Sequence, residues 1–563
     1  MSDLTNMDAS APASSGSSWT GSGSPVIRWI SSFVPVGFKG EIKELSKLSI
    51  PVIMAQLMVF TVSFISTVFC GHLGKSELAG VALAIAVINV TGISIGSGLA
   101  SACDTLVSQT FGSRNLLRVG VILQRAILIL LLACFPCWAL LLNTEPILLA
   151  VKQDPHVARI AQLYVKIFMP ALPATFMYSL ETRYLQSQGI IWPQVITGLF
   201  VNILNALVNY IVLYVLHLGV AGSAIANSIS QFAMAGSLFA YIMWKGLHKA
   251  TWGGWSKECL HDWWSYIRLA IPGMIMLCAE WWTYEIGSFL AGLISEVELG
   301  AQSVVFEVST VVYMFPLGFG IAGSVRVGNA LGAGDTMTAK TSAKLSTFCA
   351  GLISIGFAIL IGCLKEHISY IFSYDEIFFY FPFREIRKKV AEVMTFYAPF
   401  FFLDALSAAL GGVVRGTGKQ KVGAVCNLLG FYGVGFPIGV SLMFAAKLGI
   451  IGLWTGMLTC VFIQSSFLII YLSRMDWKKI TVEAQNRAGV SGNPSDKSPR
   501  PEDPEHSLVQ PDSTLELEQG PVSEDTEPSW RNLVLLRGLA LAAMLFILAV
   551  GIIINTIINS LGT

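Results

Sequence analysis

Four carboxylates stand in stretches that are otherwise almost free of charge: Glu280, Glu285, Glu307 and Asp404. Their surroundings are aromatic. One run reads Glu280-Trp281-Trp282-Thr283-Tyr284-Glu285, and Phe306 and Tyr313 flank Glu307. On a helix, Tyr284 lies four residues after Glu280 and Trp281 four before Glu285, so each acid shares a face with a ring. A carboxylate in an apolar setting takes a proton or pairs with a cation. An aromatic face attracts a flat cation by about 0.5–2 kcal/mol. Together these residues suit a site where protons and organic cations compete. The competing reading is a protonated or paired structural residue for each acid, and ordinary core or lipid-facing packing for each ring. Gln56 and Asn89 are candidates for lining a cavity beside this site, and read equally well as structural.

The elements that must position these groups are membrane helices. Of 563 residues, 54% are hydrophobic and only 13% charged, against about 25% charged in soluble domains. Mean hydropathy is +0.65. So much apolar surface needs a lipid bilayer as its solvent. Apolar runs of spanning length (about 20 residues) are expected near 46–69, 79–104, 119–142, 160–180, 194–215, 221–244, 269–293, 299–325, 343–363, 391–413, 422–446 and 449–472, with a thirteenth near 533–557. The fold class expected is an all-α membrane protein: two six-helix lobes related by an internal parallel repeat, plus a thirteenth C-terminal helix. The divisions are a cytosolic tail (1–43), an N-lobe (44–244), an inter-lobe loop (245–268), a C-lobe (269–472), a polar and acidic linker read as disordered (473–531), and a last segment (532–563) that is only tethered and dispensable.

The repeat rests on matches at nearly constant spacing. Pro51 meets Pro272 at an offset of 221, Gly71 meets Gly292, Gly112 meets Gly332, and Leu218-Gly219 meets Leu448-Gly449. Six spans per unit bring both units in from the same side, as in transporters with parallel lobes. The four acids all fall in the second unit. At offset 221 Glu280 and Glu285 face Val59 and Phe64, so the lobes are alike in fold and unlike in chemistry. A carboxylate at mid-bilayer costs about 2.5–3.5 kcal/mol and marks function or a buried partner. At 1.5 Å per residue, Glu285 and Glu307 are expected at similar depth, with Glu280 and Asp404 nearer the middle.

Lys and Arg set orientation. Arg114, Arg118, Lys245, Lys249, Lys257, Lys419 and Lys421 favour a cytosolic N-terminus, against Lys75, Lys152, Arg159, Lys447 and a contrary cluster at 365–389. An odd thirteenth span then puts the C-terminus outside. The net charge of +1 offers no nucleic-acid surface. None of the seven His lies well inside a span, and there is no GxxxxGK[ST] or GxSxG. No metal, cofactor, catalytic residue or obligate protein partner is expected.

Twelve spans in two halves, Glu280-Trp281-Trp282, the Val327–Gly334 loop and Arg415-Gly416-Thr417-Gly418 resemble the multidrug and toxin extrusion (MATE) family, and the thirteenth helix looks like its vertebrate branch. The resemblance implies a V-shaped fold that exports organic cations against proton or sodium entry. In vertebrate members the coupling ion is the proton, and the location is the plasma membrane of kidney tubule or liver canaliculus, apical in epithelia. It carries the coupling role to Glu280, Glu285, Glu307 and Asp404. It also marks two departures: Asp404 where Glu is usual, one methylene shorter, and Phe306 where Tyr is usual, without the hydroxyl. Bacterial relatives that bind the coupling ion at an Asp in span one have no counterpart here. The expectation is electroneutral exchange of one proton for one monovalent cation such as tetraethylammonium. The alternatives are a lipid or lipid-linked saccharide flippase of related fold, and a sodium-coupled exporter.

Overall fold

The computed structural model describes residues 38–71, 73–368, 382–490 and 530–561. Fourteen helices carry the argument. Six form the N-lobe: α1 (Phe38–Gly71), α2 (Ser76–Gly112), α3 (Leu116–Leu142), α4 (Pro155–Ser187), α5 (Trp192–Val215) and α6 (Gly219–Trp244). Six form the C-lobe: α7 (Trp263–Gly292), α8 (Glu296–Gly332), α9 (Thr336–Leu364), α10 (Pro382–Thr417), α11 (Gln420–Ala445) and α12 (Ile450–Arg474). A polar helix, α13 (Trp477–Ala488), and the last apolar helix, α14 (Trp530–Leu561), follow. No strand occurs among the described residues.

Among the described residues, eleven helices are long and apolar enough to cross a membrane. The sequence reading expected thirteen spans. The two that fall short, α6 and α7, are long enough but carry Ser, Asn and Gln in α6 and Glu with a Trp pair in α7. Such side chains belong on surfaces that face other helices rather than lipid. Each lobe has its own core. Tyr164, Phe168 and Phe176 are buried in the first, and Tyr397, Phe400 and Trp454 in the second.

The repeat offset becomes physical where the lobes touch. A Cβ on Gly112 of α2 would collide with the Asn329 carbonyl of α8, and a Cβ on Gly332 of α8 would collide with the Gln109 carbonyl of α2. Gly98 of α2 presses on Met274 of α7, while Gly318 of α8 presses on Ile53 of α1. Each contact is the other's image at an offset of 220 or 221. This is the self-complementary geometry of a two-fold interface, here inside one chain. Gly219 and Gly449, matched in the sequence, open α6 and α12 with φ of 60° and 62°, a backbone region that side chains disfavour.

Three expectations need correction. First, several helices run past their expected ends: α2 reaches Gly112 and α4 reaches Ser187. Asp104, Glu181 and Arg183 therefore lie within helices of the N-lobe, so acids are not confined to the second repeat. Second, the stretch read as a disordered linker opens with α13, whose Trp477, Ile480 and Ala484 are buried. The remainder, 491–529, lies outside the described residues. Third, α14 is packed rather than merely tethered. Asn143 donates to the Gly551 carbonyl at 3.0 Å and Asn555 to Leu142 at 2.8 Å. Arg537 donates to Leu260 at 3.0 Å and stacks 4.3 Å from the Trp263 ring centroid. At roughly 1 kcal/mol per hydrogen bond, removing residues 491–563 is expected to lower Tm by about 3–6 °C. An unchanged Tm in thermal unfolding of the truncated protein would show that these contacts stabilise nothing.

Candidate functional site

α7, α8 and α10 bring the four sequence-identified acids into two groups. In the first, the Tyr313 hydroxyl of α8 donates to Glu280 Oε1 of α7 at 2.6 Å. Asp404 of α10 is buried, 6% exposed, and lies within electrostatic reach of Glu280. Tyr284 and Tyr313 each feel both carboxylates. In the second group, Glu285 of α7 lies within electrostatic reach of Glu307 of α8. Tyr313 was expected beside Glu307. One helical turn and a half of α8 separates the two residues, which carries Tyr313 to the level of Glu280 instead.

Aromatic side chains wall the first group. The Tyr284 ring lies 6.0 Å from Phe306 and 6.4 Å from Trp454, centroid to centroid. Trp454 is held by Tyr397 and Phe400 at 5.4 and 5.2 Å, and its Nε1 donates to Gln302 at 2.9 Å. Offset and edge-on pairs of this kind fix ring orientation. Trp454, Tyr397 and Gln302 are therefore part of the wall, although they escaped the sequence reading. Gln302 lies five residues before Glu307 in α8 and Tyr397 seven before Asp404 in α10, whereas Trp454 in α12 is distant, and none carries a distinctive local pattern.

The two tryptophans after Glu280 are each 36% exposed. Trp282 crosses to the other lobe: its Nε1 donates to the Val90 carbonyl at 3.1 Å and to Ser94 Oγ at 3.3 Å. Val90 lies in a π-helical turn, Asn89–Ile93, inside α2. Such turns shift the backbone register and free a carbonyl for an outside partner. Asn89 opens this turn and is half-buried, as is Gln56 in α1. Among the described residues no hydrogen bond ties Gln56 or Asn89 to the acids.

Below this level the lobes are bolted together at one end. Asp104 of α2 pairs with Arg183 at 3.1 Å within its own lobe and with Arg415 at 3.7 Å across the interface. The Arg415 charge also reaches Glu280, so that acid has a distant basic neighbour that its own helix did not reveal. Glu41 of α1 holds Arg326 of α8 at 2.5 Å. Gln109 donates to Gly416 at 2.9 Å, Gln420 donates to Ser101 at 3.2 Å, and Asn329 donates to Ser187 at 3.1 Å. α13 sits under this junction, with Arg487 reaching Gln109 of the N-lobe at 3.1 Å and Glu483 at 3.2 Å. Glu181 of α4 is half-buried, and its Oε2 has no hydrogen-bond partner among the described residues. Among the described residues no cluster of His, Cys, Asp and Glu is arranged to hold a metal ion.

The arrangement sets a hydrogen-bonded carboxylate, Glu280, and a buried one, Asp404, among aromatic side chains. Comparison with known proteins gives it a context. The MatE family model matches the chain twice, at residues 51–211 and 272–441, and the two starts repeat the offset of 221. The chain is 60% identical to multidrug and toxin extrusion protein 1 of Danio rerio over 93% of its length and 92% of the relative's. It is 51% identical to the Homo sapiens protein of the same name, over 92% and 94%. It is also 52% identical to multidrug and toxin extrusion protein 2 of Mus musculus, over 92% of both. Among solved structures, the eukaryotic MATE transporter AtDTX14 superposes with a TM-score of 0.76 at 29% identity, covering 80% of this chain and all of that one. An outward-facing MATE family transporter gives 0.67 at 16% identity over 79% and 97%, a likeness of fold alone.

Proposed function

The chain belongs to the multidrug and toxin extrusion family, vertebrate type, and is a membrane transporter for drugs and toxins rather than an enzyme; from that premise we propose that it exports organic cations in electroneutral exchange for protons. The observation that carries this reading is the Glu280–Tyr313 hydrogen bond beside buried Asp404. Two carboxylates within electrostatic reach of each other compete for one positive charge. One proton or one organic cation completes the site, and the two exclude each other. Tyr313 orients Glu280 by donating to it, while Tyr284 and Phe306 offer ring faces to a flat cation. Glu285 and Glu307 form a second station, through which the proton or the cargo passes. Trp281, Trp282, Gln56 and Asn89 are proposed to line the route between the lobes.

The bolted end is read as the cytosolic side, with the N-terminus also cytosolic, α14 crossing the membrane and the C-terminus outside. On that reading the junction closes the cytosolic side, and the site takes a proton from an acidic exterior and releases its cargo. The proposed location is the plasma membrane, on the apical face of epithelia. Parting of the Asp104–Arg415 and Glu41–Arg326 pairs would open the path from the cytosol. A flippase for phosphate-bearing lipids would want a basic cavity, and the cavity side chains here are acidic. Sodium coupling through α1 would want an acid there, and the positions equivalent to Glu280 and Glu285 at the repeat offset are Val59 and Phe64.

The test uses the purified protein in sealed vesicles. One pH unit across the membrane should accumulate tetraethylammonium about tenfold on the acidic side, whereas a potassium diffusion potential alone should accumulate none. Uptake driven by sodium without a pH difference would reject proton coupling. Uptake driven by the potential alone would reject electroneutrality.

A further inference from the structure

A cavity of about 420 Å³ lies away from the transport site, between the last turns of α12 and the face of α13. Its size is that of a small-ligand site, and its two sides differ in chemistry. One wall is apolar: Phe467 and Ile470 are 47% and 54% exposed, and Tyr471 stacks on Phe467 at 6.2 Å. The opposite rim is basic, formed by Lys419, Arg474 and Lys479.

The acids in the lining are already engaged. Glu483 is held by Lys419 at 2.8 Å and by Arg487 at 3.2 Å. Burial pushes its carboxyl up, but the Lys419 hydrogen bond together with the charges of Lys419, Arg487 and Lys479 outweighs burial and leaves it below the ordinary carboxylate value. Asp476 caps α13 by accepting from the amides of Lys478 and Lys479 at 3.1 and 3.3 Å. Among the described residues neither Arg474 nor Lys479 has an acidic side chain within ion-pair distance. Arg474 and Lys479, neither in an ion pair among the described residues, therefore stand where α12 leaves its apolar stretch, beside exposed rings and aliphatic side chains, with the Lys479 charge also reaching Glu483.

We propose that this cavity binds an anionic phospholipid of the leaflet in which it lies, with the phosphate on Arg474 and Lys479 and the acyl chains along Phe467 and Ile470. Basic pockets at the ends of membrane helices recognise such head groups through charge, and the apolar wall supplies what a free phosphate cannot use. The placement in the cytosolic leaflet rests on the orientation given above. The binding itself does not, because it concerns residues outside the transport site. Bound there, the lipid joins α12 to α13. α13 in turn reaches Gln109 of the N-lobe, so occupancy favours the state in which that end is closed.

The experiment titrates the full-length protein in neutral detergent with three probes: short-chain phosphatidylinositol 4,5-bisphosphate, phosphatidylcholine of the same chain length, and inositol trisphosphate. Thermal unfolding reports binding. The anionic lipid is expected to raise Tm, phosphatidylcholine to leave it unchanged, and inositol trisphosphate to act only at much higher concentration. Arg474→Ala/Lys479→Ala should weaken lipid binding about thirtyfold, the effect of two surface cations. Lys478→Ala, which removes a neighbouring charge outside the cavity, should leave it intact. Equal responses to the anionic lipid and phosphatidylcholine in the unmodified protein would overturn the proposal without any variant. Equal loss in Lys478→Ala, or equal affinity for inositol trisphosphate, would overturn it as well. Vesicle transport measured in parallel keeps this result separate from the proton-exchange reading.

Discussion

In Glu280→Gln, accumulation of tetraethylammonium driven by a pH difference is expected to fall from about tenfold per unit to none. Glutamine has nearly the size of glutamate, and its carbonyl oxygen can still accept the Tyr313 hydroxyl that now lies 2.6 Å from Glu280 Oε1. What is lost is the charge, and with it the competition between proton and cation. Asp404 then stands alone with whatever positive charge it holds, so protonation at one face no longer expels cargo bound at Glu280. The variant should unfold at the Tm of the unmodified protein, since the Tyr313 bond and the packing of Tyr284 against Trp454 survive. Glu280→Asp, which keeps titration but shortens the reach, should retain partial accumulation. Full accumulation in a correctly inserted Glu280→Gln protein would remove this residue from coupling.

Gly332→Ala is expected to shift the balance between the closed and open forms of the bolted end by about 5- to 150-fold. The added methyl meets the Gln109 carbonyl, and backbone cannot rotate out of the way as a side chain could. Overpacking of this kind costs about 1–3 kcal/mol, and each 1.4 kcal/mol is tenfold. The cost falls only on the state in which α2 and α8 touch. Spin labels at Leu117 and Met337, both exposed beside this end, should report a longer distance, and turnover should fall because the outward-open form is depopulated. Gly112→Ala, its image at an offset of 220, should do the same through Asn329. Distances and turnover matching the unmodified protein in both variants would mean that this contact is not part of the cycle.

The lobes were legible in the sequence because two signals reinforced each other. Apolar runs marked the spans, and Pro51/Pro272 with Gly112/Gly332 fixed one offset across them. The acids were legible because a carboxylate in an apolar run is conspicuous. Helix ends were not, since helices here extend beyond the bilayer-length run. Thus Asp104 and Arg183 were assigned to span ends or loops, although they pair within the N-lobe. The partner of Tyr313 was hidden because spacing along α8 does not say how α7 lies against it. α13 escaped because its apolar face is only Trp477, Ile480, Ala484 and Ala488, interleaved with charges. The docking of α14 was invisible for a simpler reason: Asn143, Gly551 and Asn555 make single bonds that leave no pattern.

The mirrored glycine contacts and the Glu280–Asp404 group lie in different parts of the fold, which matters for how such a machine can change. Gly98, Gly112, Gly318 and Gly332, two from each half, make the close contacts between the lobes. On the reading proposed above, cargo recognition belongs mainly to α7, α8 and α10. A substitution such as Phe for Tyr at 306, or Asp for Glu at 404, can retune what is carried without touching the hinge. Change at Phe306 or Asp404 therefore leaves the four paired glycine contacts as they are.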